Sequence, residues 1–166
     1  MKKIICVFMS LMLLCSCSSK TELKVIDKGI SYKTHIFYYG QEYDCYIKTS
    51  LDGDMVFTVT NGILAGFSVG FSDKGTTFSY MDKSTENPYP LMKNNLFSYL
   101  YEMNCYFDNA QYSVKEDNNS YSVTGHTSLG DFTLWVSPTG LPIGAQLDSS
   151  DFTVEFYDVT MEKDNK

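Results

Sequence analysis

The sequence contains no arginine. All 13 of its basic residues are lysines, set against 20 acidic residues for a formal net charge of −7. A chain this acidic lacks the positive patch that nucleic-acid phosphates require, and without guanidinium forks it lacks the bidentate grip used on small phosphates. Nucleic acid is therefore excluded as a partner. Histidine is nearly as scarce, with only His35 and His126. Nucleophilic catalysis needs a base beside the nucleophile, and neither histidine lies in a nucleophile-elbow or Cys-His signature. Both sit in strand-like stretches among polar neighbours and are expected to face solvent. Two histidines and scattered thiols give no zinc-ligand spacing. Asp52-Gly53-Asp54 lacks the alternating ligands and closing glutamate of a calcium loop and reads as a turn. No catalytic residue, metal or cofactor is expected, and the chain reads as a non-enzyme.

Long apolar runs are also missing. The longest is Ile4 to Leu14, broken by Ser10 and preceded by Lys2 and Lys3. A membrane-spanning helix needs roughly 20 apolar residues, so this stretch has the layout of a signal peptide rather than a span. Leu14-Cys15-Ser16-Cys17 resembles a lipobox: a branched apolar residue, two small ones, then cysteine. That resemblance implies cleavage after residue 16 and a diacylglyceryl thioether on Cys17. Cys15 is a poorer acceptor because bulky Leu14 stands where a small residue is wanted. Residues 1–16 are thus expected to be a lipoprotein signal peptide, and 17–29 a lipidated N-terminus and polar tether. The domain would then be extracytoplasmic and held on a membrane by its lipid. Ser18 resembles the sorting signal for the outer membrane, if the host has one.

Removing the leader takes two lysines with it and makes the remaining chain more acidic. It also removes Cys6 and Cys15, while lipid consumes Cys17, so of five cysteines only Cys45 and Cys105 stay as thiols. An even pair in an exported domain can form a disulfide, and two buried thiols fit equally well; sequence alone leaves both readings open.

The remaining length suits one domain with one core. Tyrosine, phenylalanine, threonine and valine alternate between turn signals, which is the period-two pattern of half-buried strands. Residues 31–39 and 42–50 flank Gly40-Gln41 as a hairpin, with Tyr43, Cys45 and Ile47 on one face. Further strands are expected with Met55, Phe57 and Val59 inward, then Phe67, Val69 and Phe71, then Phe78 and Tyr80. After residue 112 come four or five more, ending with Phe152, Val154 and Phe156 on one side. The one break is Pro90 to Asn104, where Met92, Leu96, Tyr99, Leu100 and Met103 fall on one helical stripe, with proline tolerated in the first turn. Nine or ten short strands joined by tight turns imply an antiparallel meander. A sheet that wide curls, and a helix can cover its concave side. The fold class is therefore mainly β (α+β): a curled antiparallel meander over 30–160 with one helix on the concave face, after the signal peptide. Residues 161–166 are expected to form a disordered tail.

The order of features resembles a known family. VTNGILAGFSVGFSDKGTTFSY, one helix, then GDFTLWVSPTGLPIGAQL and a final strand resemble small clostridial-type lipoproteins related to the LolA-like lipoprotein-carrier superfamily. The most specific piece is Phe132-Thr133-Leu134 followed by Gly140-Leu141-Pro142 and an apolar strand. The resemblance covers roughly residues 30 to 160 and implies an open half-barrel with a helical plug, in some members holding acyl chains on the concave face. Independently of the resemblance, the apolar helix stripe must be buried against the inner face of the sheet, so an apolar site is expected to be lined by Phe57, Met92, Leu96, Leu100, Met103, Leu134 and Phe156. The leading expectation is an anchored, non-catalytic binding or structural module with a lipid or other apolar ligand. An envelope protein-interaction module is the alternative, and an envelope glycan hydrolase built on two carboxylates a more remote one.

Overall fold

The structure is a computed structural model, and it describes residues 23–87, 95–109, 112–128, 130–148 and 150–161. The residues expected as a signal peptide, Cys17, Met92 and residues 162–166 lie outside the described residues; Met161, expected in the tail, ends the last strand, paired with Ile30. Eleven strands form one antiparallel sheet: β1 (Ile30–Tyr38), β2 (Gln41–Thr49), β3 (Met55–Val59), β4 (Ser68–Ser72), β5 (Gly75–Tyr80), β6 (Lys83–Asn87), β7 (Ser113–Asp117), β8 (Ser120–Thr127), β9 (Gly130–Val136), β10 (Pro142–Leu147) and β11 (Phe152–Met161). One helix, α1 (Leu96–Asn109), lies between β6 and β7 in sequence. Among the described residues no helix is long and apolar enough to cross a membrane.

Strand order is β6-β5-β4-β3-β2-β1-β11-β10-β9-β8-β7. Every neighbour follows in sequence except the central pair, where β1 meets β11 with Ile36 opposite Val154. The two ends of the domain thus pair in the middle of the sheet, and α1 connects its two free edges. The sheet is open, because β6 and β7 are not paired with each other.

Curling follows from the reach of the helix. Tyr101 of α1 stacks on Phe71 of β4 at 4.5 Å, and Tyr106 packs edge-on against Phe132 of β9 at 5.2 Å. Six strand spacings separate β4 from β9, roughly 29 Å if the sheet were flat. Five residues of helix advance only about 7.5 Å. Both contacts can form only if the sheet wraps around the helix.

The alternation expected from sequence holds along most strands. Ile30, Tyr32, Thr34 and Ile36 of β1, Cys45 and Ile47 of β2, and Met55, Phe57 and Val59 of β3 are buried, as are Val69 and Phe71, Phe132, Leu134 and Val136, and Phe152 and Val154. Phe78 is half-buried, but Tyr80, expected inward, is 39% exposed. It is the last residue of β5, where the chain turns into β6.

Two boundaries differ from the expectation. The helix is described from Leu96, capped by Asn95, whose side-chain oxygen accepts the amides of Phe97 and Ser98 at 3.0 Å, the usual service of an asparagine N-cap. It continues past Asn104 to Asn109 because Tyr106 and Phe107 carry the apolar face on against Phe132 and Tyr112. Room for this approach comes from Gly125 of β8, where a Cβ would lie 2.5 Å from the Phe132 ring and 2.8 Å from that of Tyr106. The eleventh strand, β6, was not among those expected. Its sequence, KSTEN, has no apolar alternation, and its lysine and glutamate suit an edge that must resist pairing with another chain.

The segment expected as a tether to residue 29 is docked from Leu23 onward. Val25 is 3% exposed, and Leu23 and Ile26 pack on the core. The Val25 amide donates to the Tyr112 hydroxyl at 3.1 Å, and the Ile26 amide to the Gly140 carbonyl at 2.9 Å. Three apolar side chains in four residues gain more from burial than a solvated tether would.

Candidate functional site

The stripe Leu96, Tyr99, Leu100 and Met103, spaced three and four apart, turns one face of α1 onto the sheet, and all four are buried. Of the residues expected to line an apolar site, Phe57, Leu96, Leu100, Met103 and Leu134 fall in one continuous core, with Phe156 packed against it. Within that core they divide into two regions. Phe57 is fully buried in a cluster of rings, 5.6 Å from Phe71 and 5.5 Å from Phe97; Phe67 joins through Phe97 and Phe78. Here the helix fills the concave face.

Toward the other end the filling is incomplete. Leu100, Met103 and Phe107 of α1, Tyr32 of β1, Leu134 of β9 and Phe156 of β11 surround a cavity of about 40 Å³ whose walls are almost wholly apolar. Tyr32 and Phe156 meet edge to face at 5.1 Å, an arrangement favoured by the ring quadrupoles. The last wall is the N-terminal segment itself, Val25, Ile26 and Asp27. Sequence reasoning missed these three because it began the domain at residue 30 and took 17–29 as a tether; the run Leu23-Lys24-Val25-Ile26 was the available signal. Ligand sites for small molecules commonly enclose about 300–1,000 Å³, so the cavity is closed to an acyl chain in this conformation. A void of this size is large enough for water, but apolar walls give water no partners.

Cys45 and Cys105 are two separate thiols. Cys45 points into the core from β2, where burial pushes its thiol up to about 12. Cys105 follows Met103 by two residues, so it stands roughly 180° round the helix from Leu96 at 100° per residue. The pair therefore occupies the inner face of the sheet and the outer face of the helix.

Both histidines are on the outer side of the sheet, each beside a carboxylate. His35 Nδ1 lies 2.8 Å from Asp44, which also accepts from the Asn61 amide at 2.8 Å, and His35 Nε2 is 4.0 Å from Glu42. The Asp44 hydrogen bond raises the His35 pKa, opposed in part by desolvation. His126 Nδ1 lies 2.6 Å from Asp131, with its side chain 77% exposed. Such a pair orients an imidazole as a general base would need, but among the described residues neither imidazole bonds a hydroxyl or thiol. No three metal-ligating side chains cluster among the described residues.

No protein-family model and no curated protein matches this chain. Among solved structures it is similar to a LolA superfamily protein from Nitrosomonas europaea, with 8% identity, 86% of this chain and 90% of that chain covered, and a TM-score of 0.44. It is also similar to PNGF-II in two crystal forms. The P21 form has 8% identity and a TM-score of 0.39, and the C2 form 7% and 0.37; each match covers 81% of this chain and 28% of that chain.

Proposed function

We propose that this chain is an extracytoplasmic lipoprotein, anchored through lipid on Cys17, that binds an acyl chain in the seam between α1 and the sheet. The carrying observation is the seam cavity. Leu100, Met103, Leu134 and Phe156 meet there without filling the space, and one wall is the segment leading back toward Cys17. From Cys17 to Leu23 the chain can extend at most about 20 Å. An anchor at Cys17 would therefore hold the cavity's N-terminal wall near the membrane surface, where acyl chains are available. Displacing Val25 and Ile26 would open the apolar wall without unfolding the sheet.

Two measurements test this reading. Metabolic labelling with a radioactive fatty acid should mark the protein, and Cys17→Ala should abolish both label and membrane partitioning. Calorimetric titration with palmitate should show binding that strengthens when Val25→Ser loosens the N-terminal wall. Absence of palmitate binding in both proteins rejects the ligand, and a labelled Cys17→Ala variant rejects the anchor site.

A second reading, docking to an envelope protein, is favoured by the turn tips. The β1-β2, β3-β4 and β5-β6 hairpins all turn at the same end of the strands, and there Tyr39 is 64%, Ile63 95% and Met81 81% exposed. Tyr39 and Met81 hold positive φ values of 48° and 54°, a region where glycine or asparagine is favoured. Large apolar residues at such positions cost stability, which supports reading these tips as a docking surface. Replacing Ile63 and Met81 with serine should remove a crosslinked partner in intact cells while leaving palmitate binding unchanged.

A further inference from the structure

The outer face of the sheet carries a trench that the apolar seam does not explain. It runs along β10, where Gly144 contributes no side chain, and it encloses about 560 Å³. Register places Gly144 directly between Trp135 of β9 and Glu155 of β11, and Thr153 and Tyr157 flank Glu155 on the same outward side of β11. Ile143, 44% exposed, and Tyr157, 42% exposed, close one end.

The chemistry of these walls is specific in its hydrogen-bonding roles. The indole N–H of Trp135 only donates, the Glu155 carboxylate only accepts, and the Thr153 and Tyr157 hydroxyls do both. Among the described residues none of the four side chains has a protein hydrogen-bond partner. A ligand for this trench must accept from one wall, donate to the other, and lay an apolar surface on an indole and an isoleucine. An ammonium ion would satisfy Glu155 and the ring faces but would meet the indole N–H donor with further donors. An apolar chain would leave all four polar groups unpaired. A sugar ring offers hydroxyls of both roles around its rim and C–H groups on its face. The indole also leans over the bare glycine, its Cε3 lying 3.9 Å from the place a Cβ would take, which covers the backbone and sets the aromatic wall beside the trench floor.

We infer that the trench over Gly144 is a saccharide-binding site, with Trp135 as the stacking platform and Glu155 and Thr153 as the hydroxyl partners. Its polar walls lie on the opposite face of the sheet from the cavity under α1, and Phe156 alone lines both, so saccharide and palmitate are titrated separately. Trp135 is the only tryptophan in the chain, and its emission therefore reports on this trench alone. The purified full-length protein is titrated with a panel of neutral oligosaccharides that includes chitotriose and maltotriose, and separately with tetramethylammonium. The expected result is a saturable emission change with at least one saccharide and none with the cation. Glu155→Ala, at an exposed position whose loss also removes a charge facing His35 across the strand pair, should weaken that binding about tenfold or more, the effect of losing a charge-assisted hydrogen bond, and His35→Gln, which leaves the carboxylate in place, should not. Silence across the saccharide panel, an equal response to tetramethylammonium, or unchanged affinity in Glu155→Ala overturns the assignment.

Discussion

Gly140, in the turn between β9 and β10, accepts the amide of Ile26 at 2.9 Å, and a Cβ placed on it would run into the carbonyl oxygen of Lys24. Its φ of 86° is also one that side chains rarely adopt. Gly140→Ala therefore combines backbone strain of about 1–3 kcal/mol with loss of the seat for the N-terminal segment. The expected outcome is a lower urea midpoint and faster proteolytic cleavage within residues 23–29, read by mass spectrometry. Unchanged cleavage would mean that the segment is held by its side chains rather than by this turn.

The buried thiol gives a second prediction. Cys45 is 1% exposed and its pKa is pushed up to about 12, chiefly by burial, and alkylation requires the thiolate. In native protein at pH 8 Cys105, half-buried on the outer side of α1, should react with iodoacetamide first while Cys45 stays protected. In urea without reductant both should react. Failure of either to react after unfolding would show a bridge instead of two thiols.

Strand parity made most of this fold legible in the sequence. Phe57, Leu134 and Val154 could be assigned inward from alternation alone, because a strand with one buried face must repeat every two residues. The stripe from Leu96 to Met103 was readable by the same logic at helical period. What was not legible depended on tertiary partners. KSTEN forms β6 because β5 offers it a ladder, with no apolar pattern of its own. Val25 is buried because Tyr112 and Gly140, far along the chain, hold the backbone against the core. The trench over Gly144 depends on which residues lie across from it, and register between β9, β10 and β11 cannot be counted from composition.

His35 supplies a pH prediction whose sign is fixed by its partners. Asp44 accepts its Nδ1 hydrogen bond, Glu42 and Glu155 add favourable charge, and the pKa is raised. A histidine whose folded pKa lies above its unfolded value of about 6.5 stabilises the fold fully below that unfolded value. The contribution is lost as pH rises through the higher folded value. The side chain is 42% exposed, so solvent screens the effect. Urea midpoints should therefore fall slightly between pH 5.5 and 8.5 in the wild type, and His35→Gln should remove that part of the fall. An identical pH profile in the variant would mean that Asp44 is held by Asn61 alone.

Leu100 separates a helix that fills the concave face from one that merely lies over it. It is 3% exposed and lines the seam cavity together with Met103, Leu134 and Phe156. Leu→Ala in a packed interior removes apolar contact and leaves a void, at a cost of about 2–5 kcal/mol; a position at the margin of a loose lid can relax and loses less. The stripe is buried along its whole described length, so Leu100→Ala should fall within that range in urea denaturation. The new void would also join the existing cavity of about 40 Å³, so palmitate affinity measured by calorimetry should rise although stability falls. These two effects have opposite signs, which distinguishes them from general loosening of the domain. A general loosening would weaken both, and a variant that loses stability without gaining palmitate would place the acyl site somewhere other than beneath α1.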